Sequence, residues 1–123
     1  MATLPSNHNR SIGKIGEDTA VEYIENRGYK IIDRNYTSRW GEIDIISEKD
    51  GVLVFVEVKT KIGDKYGAPW ESVTFFKYQK LKRSIQYYIT SNKHSNRKCR
   101  IDVCGVLLNP DLTVESVKLY EGR

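Results

Sequence analysis

Along the chain the apolar positions shift from helical to strand-like period and back. From about Asn9 to Arg27, the residues Ile12, Ile15, Gly16, Thr19, Ala20, Tyr23 and Ile24 recur at helical spacing, and Gly28 follows as a stop. YKIIDRNY, residues 29–36, predicts a short strand. GEIDIIS and VLVFVEVKT follow, joined by EKDG, whose Asp-Gly step marks a hairpin turn. KIGDKYGAPWES reads as a loop, after which Ser72 or Thr74 caps a second helix reaching about Ser91. Phe75, Tyr78, Leu81, Ile85, Tyr88 and Ile89 form its expected buried stripe. SNKHSNRK is a polar loop, CRIDVCGVLL a strand, NPDLT a turn and VESVKLY a last strand. The predicted order is αβββαββ, an α/β (α+β) mixed sheet flanked by helices. It forms one domain over residues 1–123, with 1–8 as a flexible arm.

Two of the strands depart from a simple core pattern. In VLVFVEVKT the valines share one face, and Glu57 and Lys59 take over the face that Leu53 and Phe55 occupy. In GEIDIIS, Ile43 and Ile45 are expected on one face and Glu42, Asp44 and Ile46 on the other. A hairpin loop of two residues places Asp44 opposite Glu57; a loop of four makes them diagonal neighbours. Either length gathers Asp44, Glu57 and Lys59 on one face within about 4.5–8 Å, whereas an odd length would not. Two carboxylates at a partly buried surface repel each other and lose hydration. Lys59 can offset one charge, and a divalent cation both. Magnesium, with manganese as a substitute, suits such hard oxygen ligands and phosphodiester hydrolysis. A bland alternative is a salt network at a sheet edge. Glu17 borders a stripe of Gly13, Gly16, Ala20 and Ile24, so the first helix can bring it close to the sheet; it also reads as an ordinary solvated glutamate.

Composition narrows the field. The chain has 123 residues, 39% hydrophobic and 29% charged, which describes a folded globular protein. No apolar run has the length of a membrane span, and MATLPSNHNRSIGK has no signal-peptide core. Cys99 and Cys104, five apart on one expected strand, point to opposite faces and remain reduced thiols, the pattern of a cytoplasmic protein. Two scattered histidines support no zinc site. The net charge of +4 is unevenly spread. The window 72–101 holds Lys77, Lys80, Lys82, Arg83, Lys93, Arg97, Lys98 and Arg100, with no acidic residue. Such a segment fits a phosphate backbone; it equally describes a solvated helix face.

The succession GKIGEDTA, NYTSRWGEIDII, LVFVEVKTK, a lysine-bearing helix and RIDV resembles the YraN-like family of small bacterial proteins, over roughly Ile12 to Val106. That family is similar to archaeal Holliday-junction resolvases and to the PD-(D/E)XK nucleases. The resemblance implies a restriction-endonuclease-like core. Asp44 would be the metal-binding aspartate, Glu57 the second acid and Lys59 the catalytic lysine. Glu17 would be the helix glutamate, and the Val58 carbonyl a further metal ligand. Ile43 stands where the superfamily name has proline. The implied activity is a magnesium-dependent endonuclease on DNA, possible targets being branched or flap structures, with a homodimer as an option. Lys77, Lys80, Lys82, Arg83, Arg97 and Lys98 are the expected nucleic-acid contacts. The competing readings are a nucleic-acid-binding module with little chemistry, and a scaffold whose basic helix docks an acidic protein.

Overall fold

The computed structural model describes residues 5–63, 75–92 and 97–122. Its elements are α1 (Pro5–Glu25), β1 (Lys30–Ser38), β2 (Gly41–Lys49), β3 (Val52–Ile62), α2 (Phe75–Ser91), β4 (Cys99–Leu108) and β5 (Val114–Tyr120). The predicted order αβββαββ is the order found. The strands lie in one five-stranded sheet in sequence order; β3 and β4 are parallel and the other pairs antiparallel. This is a mixed sheet with two helices, the α+β arrangement of a restriction-endonuclease-like core. Helix α1 begins at Pro5, so residues 5–8 are helical where a flexible arm is expected; residues 1–4 and the caps expected at Ser72 or Thr74 lie outside the described residues. No described helix is long and apolar enough to cross a membrane.

The start and end of each element follow from local chemistry. Gly28 takes φ +90°, and the Gly28 and Tyr29 amides donate to the Glu25 and Ile24 carbonyls, both at 3.0 Å. This pair of hydrogen bonds satisfies two of the last carbonyls of α1, while Tyr29 and Ile24 pack into the same core. Asp50 and Gly51, at φ +52° and +80°, form the two-residue turn between β2 and β3, with Lys49 opposite Val52. The loop is therefore the two-residue one of the two even lengths.

Each sheet face carries its own core. Against α1, Ala20, Ile24 and Tyr29 meet Ile45, Val54, Val56, Cys104, Val106 and Leu108. Against α2, Leu81, Ile85, Tyr88 and Ile89 meet Ile43, Ile46, Leu53 and Phe55. Tyr88 packs edge-on against Tyr36 and Phe55, with ring centroids 5.1 and 5.8 Å away. Two expectations need correction. Tyr78 is 40% exposed and does not belong to the buried stripe of α2. Ile43 and Ile45 do not share a face: they belong to opposite cores, so the alternation of β2 breaks at Asp44. The break has a backbone cause. The pairing of β2 with β3 ends at Ile45 and Val56, and Asn35, between the pairs Arg34–Ile45 and Tyr36–Ile43, sits at φ +51°.

On β4, Asp102 is fully buried. Its carboxylate accepts from Arg100 Nε at 3.0 Å, Tyr29 O–H at 3.1 Å and the Gly122 amide at 2.8 Å. A charge so buried is tolerable only with partners of this kind. The network ties β4 to the end of α1 and to the chain after β5. Cys99 is exposed and Cys104 buried, as the five-residue spacing implies.

Candidate active site

Beyond Ile45 and Val56, β2 and β3 part, and polar side chains fill the opening. The Val58 amide donates to Asp44 Oδ2 at 2.8 Å. The Glu57 carboxyl lies beside that of Asp44. Burial first, and then Glu57, push the Asp44 carboxyl up to about 7, against the opposing pull of the Val58 amide and Lys59. Lys59 is held below its ordinary range, first by burial and next by the adjacent Lys77 ammonium, while the Glu57 and Asp44 charges oppose the shift. Asp44, Glu57 and Lys59 are thus neighbours, with Lys77 of α2 beside Lys59, although Asp44 borders the space towards α1 and Glu57 that towards α2.

Two clefts meet there. One, of 180 Å³, is lined by Trp40, Gly41, Glu42, Glu57, Lys59, Lys77, Lys80, Leu81 and Ser84, between α2 and the sheet. The other, between α1 and the sheet, is lined by Ile12, Gly13, Glu17, Glu42, Asp44, Val58, Lys59 and Thr60. Glu42 and Lys59 border both. Glu17 reaches this position because α1 lies close to β3: a Cβ on Gly16 would fall 1.8 Å from Thr60 Oγ1. Its carboxylate accepts from Arg34 Nε at 3.2 Å and from Asn35 Nδ2 at 2.7 Å. Arg34 also meets Asp18 at 2.6 Å, and Asn35 Nδ2 reaches Glu42 at 3.4 Å. Arg34, Asn35 and Glu42 are absent from the residues expected from sequence. Glu42 carries a signal, being expected on the face of Asp44; Arg34 and Asn35 carry no periodic one.

Among the described residues no three carboxylate, imidazole or thiol groups converge into a closed metal cage. Two neighbouring carboxyls beside the Val58 backbone offer instead hard oxygen donors, of the kind that an open site for a hard cation, completed by water, would use. The chemistry of the donors fits magnesium. Burial and the neighbouring Glu57 carboxyl, which together raise the Asp44 pKa, mark the negative charge that a cation would neutralise.

A family model described as uncharacterised protein family UPF0102 matches residues 16–106. The chain belongs to that family. Among its UPF0102 relatives, a Clostridium botulinum protein is 44% identical over 114 residues, covering 92% of this chain and 93% of its own. One from Persephonella marina is 43% identical over 97 residues, covering 79% and 84%. Another from Dictyoglomus turgidum is 40% identical over 103 residues, covering 84% and 87%. The span shared with UPF0102 runs from Gly16 through β4 and contains Glu17, Asp44, Glu57 and Lys59.

The basic residues divide by position. Lys77 and Lys80 line the cleft with Glu57 and Lys59. Arg83 lies over the Trp40 ring, 5.9 Å from its centroid. Lys82 lies on the other flank of α2, 5.5 Å from the Tyr78 ring. Arg97 and Lys98 are not at the site. Leu53 pairs with Cys99, so they sit at the far end of β3, about 20 Å from Lys59 along the strand. Arg97 is ion-paired with Glu48 and donates to the Gly51 carbonyl at 3.3 Å, which anchors the β2–β3 turn.

Proposed function

We propose that this UPF0102 protein is a metal-dependent endonuclease that hydrolyses phosphodiester bonds in DNA. The observation that carries this reading is the contact of Asp44 with Glu57 where β2 and β3 part, with Lys59 beside both and Lys77 and Lys80 along the adjoining cleft. Asp44, Glu57 and the Val58 carbonyl would hold magnesium or manganese, with Glu17 assisting. When bound, such a cation neutralises charge on the phosphate and makes water a stronger nucleophile. Lys59 contributes a hydrogen-bond donor aimed into the cleft, where it orients water or meets the negative charge that develops on the phosphate. Lys77 and Lys80 hold the phosphate backbone. The Arg34 and Asn35 contacts fix the Glu17 carboxylate in one orientation before substrate arrives. Cutting both strands of a duplex calls for a pair of such sites, hence for two copies of the chain.

One observation favours the binding-module alternative: the carboxyls already have partners within the protein, Asp44 with the Val58 amide and Glu17 with Arg34 and Asn35. Cleavage decides between them. Linear, flap, single-stranded and four-way DNA should be incubated with magnesium and with chelator. Metal-dependent cutting that Lys59→Ala lowers at unchanged DNA affinity supports the nuclease. Binding with no cutting under any metal supports the module.

A further inference from the structure

Trp40 stands at the tip of the β1–β2 connection, and its amide donates to Ser38 Oγ at 3.2 Å. It borders two adjoining spaces. One is the cleft that holds Glu57, Lys59, Lys77 and Lys80. The other, of 560 Å³, is lined by Trp40, Arg83, Gln86, Tyr87 and Thr90. Two guanidiniums lie against its ring: Arg39 at 4.9 Å from the centroid and Arg83 at 5.9 Å. Tyr87 is 44% exposed. Neither core accounts for this surface, because Trp40 and Tyr87 belong to neither hydrophobic cluster.

We infer that Trp40 and Tyr87, with Arg39 and Arg83, form a stacking platform for an unpaired nucleotide next to the cleft that holds Lys59, so that the substrate carries a single-stranded segment there. The inference rests on the nuclease or nucleic-acid-binding reading of that cleft. The chemistry is specific in kind. Bases inside a duplex are already stacked on one another and offer a protein only their edges and phosphates. An unpaired base offers its flat face, which stacks on indole, phenol or guanidinium planes while the neighbouring phosphates meet cations. Trp40 flanked by two arginines, with Tyr87 lining the same space and a lysine-lined cleft adjoining it, presents both halves of that recognition. An acidic protein segment would match the charge but makes no use of the ring faces.

The test uses the full chain in chelator, with three fluorescent probes: a single strand, a blunt hairpin duplex, and that duplex with a single-stranded overhang. Wild type should bind the single strand and the overhang more tightly than the blunt duplex. Trp40→Ala should weaken binding of the first two by about tenfold or more and leave the blunt duplex nearly unchanged. Trp40→Phe should recover most of the loss. Tyr87→Ala, at an exposed position, gives a second reading if Trp40→Ala fails to fold. Arg83→Gln should weaken all three probes and lower the salt dependence. Equal wild-type affinity for all probes, or a folded Trp40→Ala indistinguishable from wild type, overturns the platform while leaving a nuclease that acts on duplex intact. Absence of any nucleic-acid binding overturns both. Tight binding of an acidic peptide that competes away the single strand through Trp40 replaces the platform with a protein-docking site.

Discussion

Gly16 and Gly13 lie on the same helix, three residues apart, and the same substitution should affect them with opposite sign. Alanine at either position gains about 1 kcal/mol of helix propensity over glycine. At Gly13 a Cβ meets nothing within 4 Å, so Gly13→Ala should stabilise the fold by up to that amount. At Gly16 the new methyl would fall 1.8 Å from Thr60 Oγ1, 2.8 Å from Thr60 Cβ and 2.9 Å from Cγ2. Cβ is fixed to the backbone of β3 and has no rotamer by which to escape, so helix or strand must move. Overpacking of this kind costs about 1–3 kcal/mol. The depth of the overlap puts the cost at the upper end, which leaves Gly16→Ala destabilised by about 2 kcal/mol. Urea unfolding at constant slope measures both values. Combining Gly16→Ala with Thr60→Ala should recover part of the loss, because Oγ1 and Cγ2 go while Cβ stays. If Gly16→Ala proves as stable as Gly13→Ala, the close approach that brings Glu17 to the cleft is wrong.

Three further outcomes are expected. Asp102→Ala leaves Arg100 and the Tyr29 hydroxyl without their shared acceptor, and should cost about 3–5 kcal/mol by chemical denaturation; Asp102 is fully buried, so a surface-like loss under 1 kcal/mol would contradict the network. Tyr29 is pushed up to about 12, first by burial and then by the Asp102 charge, so its contribution to stability is complete below pH 10 and fades as pH rises through 12. Tyr29→Phe should therefore be less stable near neutrality by about 1 kcal/mol, with the gap to wild type narrowing across that alkaline range. In chelator near neutral pH, Asp44→Asn should raise stability by about 1 kcal/mol, since the amide oxygen still accepts from Val58 while the carboxylate repulsion with Glu57 disappears; a lower melting temperature would deny that repulsion.

Local signals in the sequence were legible because their causes are local. Gly28 ends α1 and Asp50-Gly51 turns the hairpin for reasons contained within a few residues. That two-residue turn sets the register of β2 and β3 as far as Ile45 and Val56, and Asp44 and Glu57 come next on the two strands, where they part. The face of Ile43 did not follow, because the alternation breaks where Asn35 of the neighbouring strand adopts a left-handed backbone. The hold of Arg34 and Asn35 on Glu17 spans 17 and 18 positions and has no periodic trace. Arg97 illustrates the limit of counting charge. It belongs to the acid-free window 72–101 in sequence, yet its partner Glu48 lies 49 positions away and holds it at the opposite end of the sheet.

The parallel pairing of β3 with β4 has a consequence for how the chain folds. Leu53 lies opposite Cys99 and Ile62 opposite Leu108, so every partner is 46 positions further along, whereas the other ladders close through short turns. Such a long crossover makes this seam the slow step of assembly. Everything around the cleft is synthesised before Cys99. During that interval β3 presents an open edge whose residues, Leu53 to Val56, are wholly buried in the finished protein. An unpaired apolar edge of this kind pairs readily with other chains. Strand β4 therefore acts as an intramolecular cover: a chain truncated before Cys99 would keep its cleft residues yet be prone to aggregate.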